Sequence, residues 1–334
     1  MTNISLLGCG TWGSALAQVV AEYGHRVTAW HYKKDVLGIR ASSRKHPRLK
    51  GFIFHDNIYF EHDLAASLTK AECIIVAVPS HAVRKIMAQS KPFIPKKAVI
   101  VNVAKGIEND TLKTMSEVIA ISLNHDMNKI VSLYGPSHAE EVVANYPTTL
   151  VSASPSEKSA IYVQKLFSSD TLRVYRNHDI RGVELGGSLK NVIAIAAGIC
   201  DGIGFGDNTK AALLTRGINE ITRLGIAMGA ISETFSGLSG VGDLIVTCYS
   251  RHSRNRFVGE EIGKGKPLDL IIDKMETVAE GVKTTKSVRD LSMKYRVEMP
   301  ISEGVFQILF KKKDPKEMVT SLMTRDLTHE RKKP

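Results

Sequence analysis

At 334 residues, with 43% hydrophobic and 24% charged side chains, the chain has room for two cores and an ordinary globular composition. Its net charge of +11 favours anionic partners, but aromatics are only 6% and no basic stripe interleaves with them, so small anions fit better than nucleic acid. The opening Met1-Thr2-Asn3-Ile4 has no signal-peptide pattern, no apolar run approaches the ~20 residues of a bilayer span, and Cys9, Cys73, Cys200 and Cys248 form no CxxC pair. A cytoplasmic protein with reduced thiols, no membrane insertion, no nucleic-acid partner and no metal is the expectation.

From the amino terminus, short apolar runs alternate with amphipathic ones, the rhythm of βαβ units and a parallel sheet. Strands are expected at 4–7, 27–30, 73–78, 98–103, 129–134, 148–152 and 172–175, with helices at 12–23, 81–89, 111–123 and 156–167. The unbroken runs Ile74-Ile75-Val76-Ala77-Val78 and Val99-Ile100-Val101 predict strands covered on both faces. Beyond about residue 178, Ala/Ile/Leu-rich helical patterns take over, at 180–201, 208–228, 232–238, 256–264, 284–294 and 302–310. The fold class expected is α/β. A Rossmann-type, doubly wound parallel sheet domain spans 1–178, and an all-helical carboxy-terminal domain follows at 179–334.

Gly8-Cys9-Gly10-Thr11-Trp12-Gly13 lies between the first strand and the first helix, the setting that gives GxGxxG its meaning. Gly8 suits the tight turn, Gly10 lets the backbone approach a pyrophosphate, and Gly13 lets helix and strand pack closely. Free N–H groups around Thr11 and Trp12, at the positive end of the helix dipole, are then available to the diphosphate of NAD or NADP. After the second strand, Trp30-His31-Tyr32-Lys33-Lys34 lacks the acid that bonds a ribose 2′-hydroxyl, and Asp35 comes late. Lys33 and Lys34 are either a solvated cluster or a site for the 2′-phosphate of NADP, and a mild NADPH preference is expected.

Lys190 sits in a helical pattern among Leu189, Val192, Ile193 and Ile195. Its ammonium either snorkels to water or, if desolvated, has a lowered pKa and exchanges protons near neutrality. Lys105 follows a strand at the sheet edge where doubly wound folds bind ligands, although a solvated loop lysine reads the same way. Asp243, in a Gly-rich stretch, either caps a helix or orients a cation. Ser253-Arg254-Asn255 offers a hydroxyl, a guanidinium and an amide near a helix start, a set suited to phosphate; an exposed basic loop with Arg251 and Arg256 is the alternative.

Together these segments resemble the bacterial-type NAD(P)-dependent glycerol-3-phosphate dehydrogenases along nearly the whole chain. The resemblance rests on the Gly-rich motif, Val78-Pro79-Ser80, Ala104-Lys105-Gly106-Ile107-Glu108, Gly135-Pro136-Ser137-His138-Ala139 and Glu184-Leu185-Gly186-Gly187-Ser188-Leu189-Lys190-Asn191-Val192. It continues through Gly237-Leu238-Ser239-Gly240-Val241-Gly242-Asp243-Leu244, Ser253-Arg254-Asn255-Arg256 and Val278-Ala279-Glu280-Gly281. It implies reversible reduction of dihydroxyacetone phosphate to sn-glycerol 3-phosphate, feeding phospholipid synthesis, by a homodimer. Lys190 becomes the acid/base, Lys105 a contact to substrate and nicotinamide, and Asp243 the acid that orients Lys190 and a substrate hydroxyl. Ser253, Arg254 and Asn255 hold the phosphate, with Gly135 and Ser137 opposite. Tyr32 and Lys33 face the adenosine side, while Ala139, Arg254, Val278 and Glu280 line the cofactor. Two departures stand out: His46-Pro47-Arg48-Leu49-Lys50-Gly51 lacks the family's Tyr-Leu-Pro, and Tyr32 replaces an Arg or His. The nearest rivals are another two-domain dehydrogenase, acting on a phosphorylated sugar acid or hydroxyacyl compound, and a non-catalytic nucleotide sensor.

Overall fold

A computed structural model describes residues 1–275, 279–327, 329 and 330. Among these residues, eight strands form one sheet in the order β3-β2-β1-β4-β5-β6-β7-β8. They are β1 Asn3–Leu7, β2 Arg26–Trp30, β3 Ile58–Glu61, β4 Cys73–Val76, β5 Val99–Asn102, β6 Ile130–Tyr134, β7 Thr148–Ala153 and β8 Leu172–Asn177. Helices α1 Thr11–Glu22, α2 Lys34–Ser43, α3 Leu64–Leu68, α4 Val83–Ser90, α5 Met115–Leu123, α6 Ala139–Val143 and α7 Glu157–Phe167 intervene.

The continuous apolar runs follow from burial on both sides. In β4, Ile75 joins the core on one face while Ile74 and Val76 join the other, as successive strand residues must. Every strand pair is parallel except one: β7 runs antiparallel to β6, with Leu133 opposite Ser152. A parallel return needs a crossover of a dozen or more residues, usually a full helix. The link from β6 to β7 holds only the five-residue α6, so the chain turns back instead.

The second half is helical: α8 Ile180–Ile203, α9 Asp207–Ala227, α10 Asp243–Tyr249, α11 Arg254–Gly263, α12 Leu268–Asp273, α13 Glu280–Tyr295, α14 Pro300–Lys311 and α15 Pro315–Met323. The expected helix at 232–238 is instead a short 3-10 turn, Ser232–Ser236, leading into a π-helical turn at Leu238–Gly242. Asp179 starts α8 by accepting from the Gly182 N–H at 2.8 Å, while its other oxygen takes Ile231 N–H and the Thr234 hydroxyl. This α8 is the one described helix long and apolar enough to cross a membrane, and its apolar window is wholly buried in the fold.

Glycines let α11 lie on the α8 backbone. A Cβ on Gly198 would stand 2.0 Å from the Arg256 carbonyl, and one on Gly259 would stand 2.0 Å from the Ile195 carbonyl. Gly202 and Gly263 repeat the arrangement one turn on, at 2.2 and 2.4 Å from the carbonyls of Glu260 and Ile199. The amino-terminal end of α11 is thereby held close to the middle of α8.

Candidate active site

At the Gly-rich loop the sterics match the spacing. Gly8 has φ +104°, and a Cβ there would lie 2.8 Å from the Ala77 carbonyl; on Gly13 it would lie 2.4 Å from the Gly8 carbonyl. Gly10 faces open space, and α1 begins with no side-chain cap and no acid in its first turn. Its first N–H groups, including those of Thr11 and Trp12, remain for a ligand. These features fit a dinucleotide diphosphate. Tyr32 is 71% exposed and stacks on His31 at 4.8 Å, and Lys33 and Lys34 start α2 as exposed residues.

The chemistry concentrates where α8, α10 and the β5 and β6 termini meet. Lys190 is 5% exposed, and Asp243, the first residue of α10, is 1% exposed. The Lys190 ammonium bonds one Asp243 oxygen and the Thr247 hydroxyl, while Lys105 reaches the other oxygen at 2.6 Å. Two ammonium groups therefore share one buried carboxylate. Lys105 also donates to the Gly135 carbonyl at 3.1 Å, and the Ser137 hydroxyl donates to the same oxygen. Burial is the main force on Lys190; Asp243 opposes it and Lys105 reinforces it, and the pKa falls to about 8. The snorkelling alternative for Lys190 is excluded, since its charged end is inside.

Ser253 caps α11, its Oγ accepting from the Arg256 N–H at 3.2 Å. Asn255 accepts from the Gly281 N–H at 2.9 Å through Oδ1. Both side chains spend an acceptor on the fold, leaving the hydroxyl proton and the amide NH₂ as donors. Arg254 stands beside them with an exposed surface; surrounding protein still draws its pKa down by burial, which Glu280 and Glu140 oppose and Arg48 reinforces. Arg256 does not belong to an exposed loop: it pairs with Asp201 at 2.7 Å, as does Lys210 at 2.5 Å.

Ala139 is buried at the start of α6. Glu280, at the start of α13, receives the hydroxyl and the N–H of Ser80, which ties the helical half to the sheet. Val278 lies outside the described residues.

Sequence reasoning missed several members. Thr247 stands four residues after Asp243, one helical turn on, and that spacing was the available signal. Glu184 is fully buried and accepts from Asn102 at 2.8 Å, Ser132 at 2.8 Å and both the N–H and hydroxyl of Ser116. Asn102 also donates to Tyr134, whose hydroxyl holds the Ala104 carbonyl and whose ring lies 5.6 Å from the Lys105 ammonium. This network fixes the Lys105 loop from beneath. His138, which precedes α6, and His252, which lies between α10 and α11, meet with ring centroids 5.6 Å apart.

The chain is similar to known proteins along both of its halves. Family models described as NAD-dependent glycerol-3-phosphate dehydrogenase, amino and carboxy terminus, match residues 3–160 and 179–320. A Salinibacter ruber protein named glycerol-3-phosphate dehydrogenase [NAD(P)+] 2 is 49% identical, over 98% of this chain and 96% of its own. A Bacillus subtilis glycerol-3-phosphate dehydrogenase [NAD(P)+] is likewise 49% identical, over 99% and 96%. The crystal structure of glycerol-3-phosphate dehydrogenase from Coxiella burnetii superposes with a TM-score of 0.93 at 36% identity, covering 97% of this chain and 99% of that one. With matches of this extent in both halves, the chain belongs to the NAD-dependent glycerol-3-phosphate dehydrogenase family.

Proposed function

We propose that this chain reduces dihydroxyacetone phosphate to sn-glycerol 3-phosphate, and the reverse, through the Lys190–Asp243–Lys105 cluster. The observation that carries the assignment of roles is the buried carboxylate shared by two ammonium groups between the sheet and the helical half. The residues of the Gly-rich loop would hold NAD(P)H, which would supply a hydride to the carbonyl carbon, or NAD(P)+, which would accept one from the alcohol in the reverse direction. Lys190 hands its proton to the oxygen as negative charge develops there, and takes one back from the alcohol in oxidation. A pKa of about 8 keeps both forms accessible near neutrality. Lys105, held by Asp243 and the Gly135 carbonyl, adds a second positive charge beside the same oxygen. Asp243 aims both cations and keeps Lys190 protonated more than burial alone allows. Thr247 fixes the Lys190 rotamer.

Arg254, with the remaining donors of Ser253 and Asn255, grips the substrate phosphate, and Gly135 and Ser137 bound the site opposite. Gly8, Gly10, Thr11, Trp12, Gly13, Tyr32, Lys33, Ala139, Arg254, Val278 and Glu280 take the cofactor. Lys33 and Lys34 favour NADPH mildly. The same reading divides the chain into 1–178 and 179–334, and it makes the protein a cytoplasmic homodimer that supplies the glycerol backbone of phospholipids. Decay of NADPH and NADH fluorescence on adding dihydroxyacetone phosphate tests the reaction. No decay with either cofactor refutes it.

A further inference from the structure

The loop at 45–53 flanks the Gly-rich turn and forms a cavity of about 600 Å³ lined by Lys45, His46, Arg48 and Lys50. Behind it, Arg40 from α2 is 5% exposed and His46 is 3% exposed. Arg40 donates through Nη1 to the carbonyl of Cys9, the middle residue of Gly8-Cys9-Gly10, at 2.5 Å. Its Nε is buried with no partner. His46 accepts the Arg48 N–H on Nδ1, which puts the ring proton on Nε2, on the side where the Cys9 backbone is close enough to act on the ring.

Among the described residues, no carboxylate lies within ion-pair distance of Arg40. The groups that act on its charge are Arg48, a like charge, and the Cys9 thiol, which burial raises to about 11 and so keeps neutral. A buried charge that lacks a partner is costly, and a fold retains it where a ligand completes it. Arg40 touches the Gly-rich loop at Cys9, directly before α1, and the anion that the proposed function places on that loop is the diphosphate of the dinucleotide.

We propose that Arg40 is a positioning residue for the diphosphate site, supported by His46. In a trans peptide the carbonyl and the following N–H point in opposite directions. Holding the Cys9 carbonyl on the Arg40 side turns the Gly10 N–H away from it, in the part of the loop where Gly10 faces open space. The guanidinium fixes the loop before the ligand arrives and adds a positive field behind it. This inference rests on the dinucleotide reading of the Gly-rich loop.

Titration calorimetry of the full chain with ADP, AMP and adenosine tests it, using wild type, Arg40→Gln, which loses the charge, and Arg40→Lys, which keeps it. Losing a charged hydrogen bond corresponds to about 10-fold or more in affinity, so Arg40→Gln should weaken ADP by that factor. AMP should lose less and adenosine nothing, and Arg40→Lys should recover part of the loss. Turnover at saturating NAD(P)H and the KM for dihydroxyacetone phosphate should stay at wild-type values. Unchanged ADP affinity in Arg40→Gln, or equal weakening of all three ligands, overturns the proposal. A wild-type chain that binds no ADP overturns the dinucleotide reading itself, which is a different result.

Discussion

Replacing Asp243 with Asn removes the negative charge that Lys190 and Lys105 share while keeping the side chain's size. In the native site, burial draws the Lys190 pKa down to about 8 against the pull of Asp243. An adjacent opposite charge holds a pKa up by about one to three pH units, so without it the Lys190 midpoint should fall to between about 5 and 7. In the proposed mechanism reduction uses the ammonium, and its rate therefore declines as pH rises through the midpoint; oxidation uses the free amine and rises through it. At pH 7 a midpoint near 8 leaves about nine-tenths of Lys190 protonated, whereas midpoints of 5 to 7 leave about 1% to 50%. Reduction at pH 7 should thus drop about two- to ninety-fold from titration alone, and it should recover as the pH is lowered toward 5. The assay is kcat against pH in both directions, with circular dichroism and an unfolding midpoint at each pH, because breaking a buried pair costs about 3–5 kcal/mol. Lys190→Met is the control: it should lose about 10²- to 10⁴-fold at every pH, with cofactor affinity unchanged. If folded Asp243→Asn keeps the wild-type midpoint, or loses the same factor at every pH, the carboxylate does not tune Lys190.

Arg254→Ala should reduce kcat/KM for dihydroxyacetone phosphate about 10- to 150-fold and barely affect unphosphorylated dihydroxyacetone; equal losses would assign Arg254 another role. Steady-state comparison of NADPH with NADH should show a preference for NADPH of about tenfold or less, shrinking with salt because Lys33 and Lys34 are exposed. Changing both lysines to Ser should abolish that preference, and a wild-type preference for NADH refutes the assignment. Gly259→Ala would place a methyl 2.0 Å from the Ile195 carbonyl and push α11 off α8. Misplacing Arg254 and Asn255 by about 1 Å should cost about 10²-fold in kcat/KM, so wild-type activity in a folded Gly259→Ala would show that the crossing does not set the site.

Where one physical signal dominated, the sequence was readable. The β4 and β5 runs are apolar because both sides of the sheet are covered, and α8 shows itself by its long Ala/Ile/Leu-rich pattern. The elements that escaped have no such signal. Helix α2 buries only Leu37 and Arg40, so no apolar stripe marks it, and the edge strand β3 buries only Ile58. The first turn expected at 111–114 is displaced because Thr114 and Glu117 form a capping box that starts α5 at Met115. In the site, Lys190, Lys105 and Asp243 were found through the motifs that hold them, and the structure brings all three together. Arg40 was not found, because a basic residue in a polar segment reads as solvated until its burial is seen. The same is true of the His138–His252 pair, 114 positions apart in sequence, which no local pattern connects.

The composition of α8 follows from what the helix has to do. It enters the sheet core with Ile180 and Val183, carries Lys190 midway, and ends in the glycines that admit α11. Covered along its length, it gains the apolar character of a membrane span while remaining a core helix. That burial is also what gives Lys190 its chemistry. An exposed lysine keeps an ordinary pKa and is nearly always protonated at neutrality, so it has little ability to accept a proton from an alcohol. The two buried charged residues in the first half of α8 meet specific partners: Glu184 the hydroxyls of Ser116 and Ser132, and Lys190 the carboxylate of Asp243. A hydrophobic helix able to hold a few satisfied polar groups therefore serves as the structural axis of the helical half and, in the proposed mechanism, also carries the proton donor.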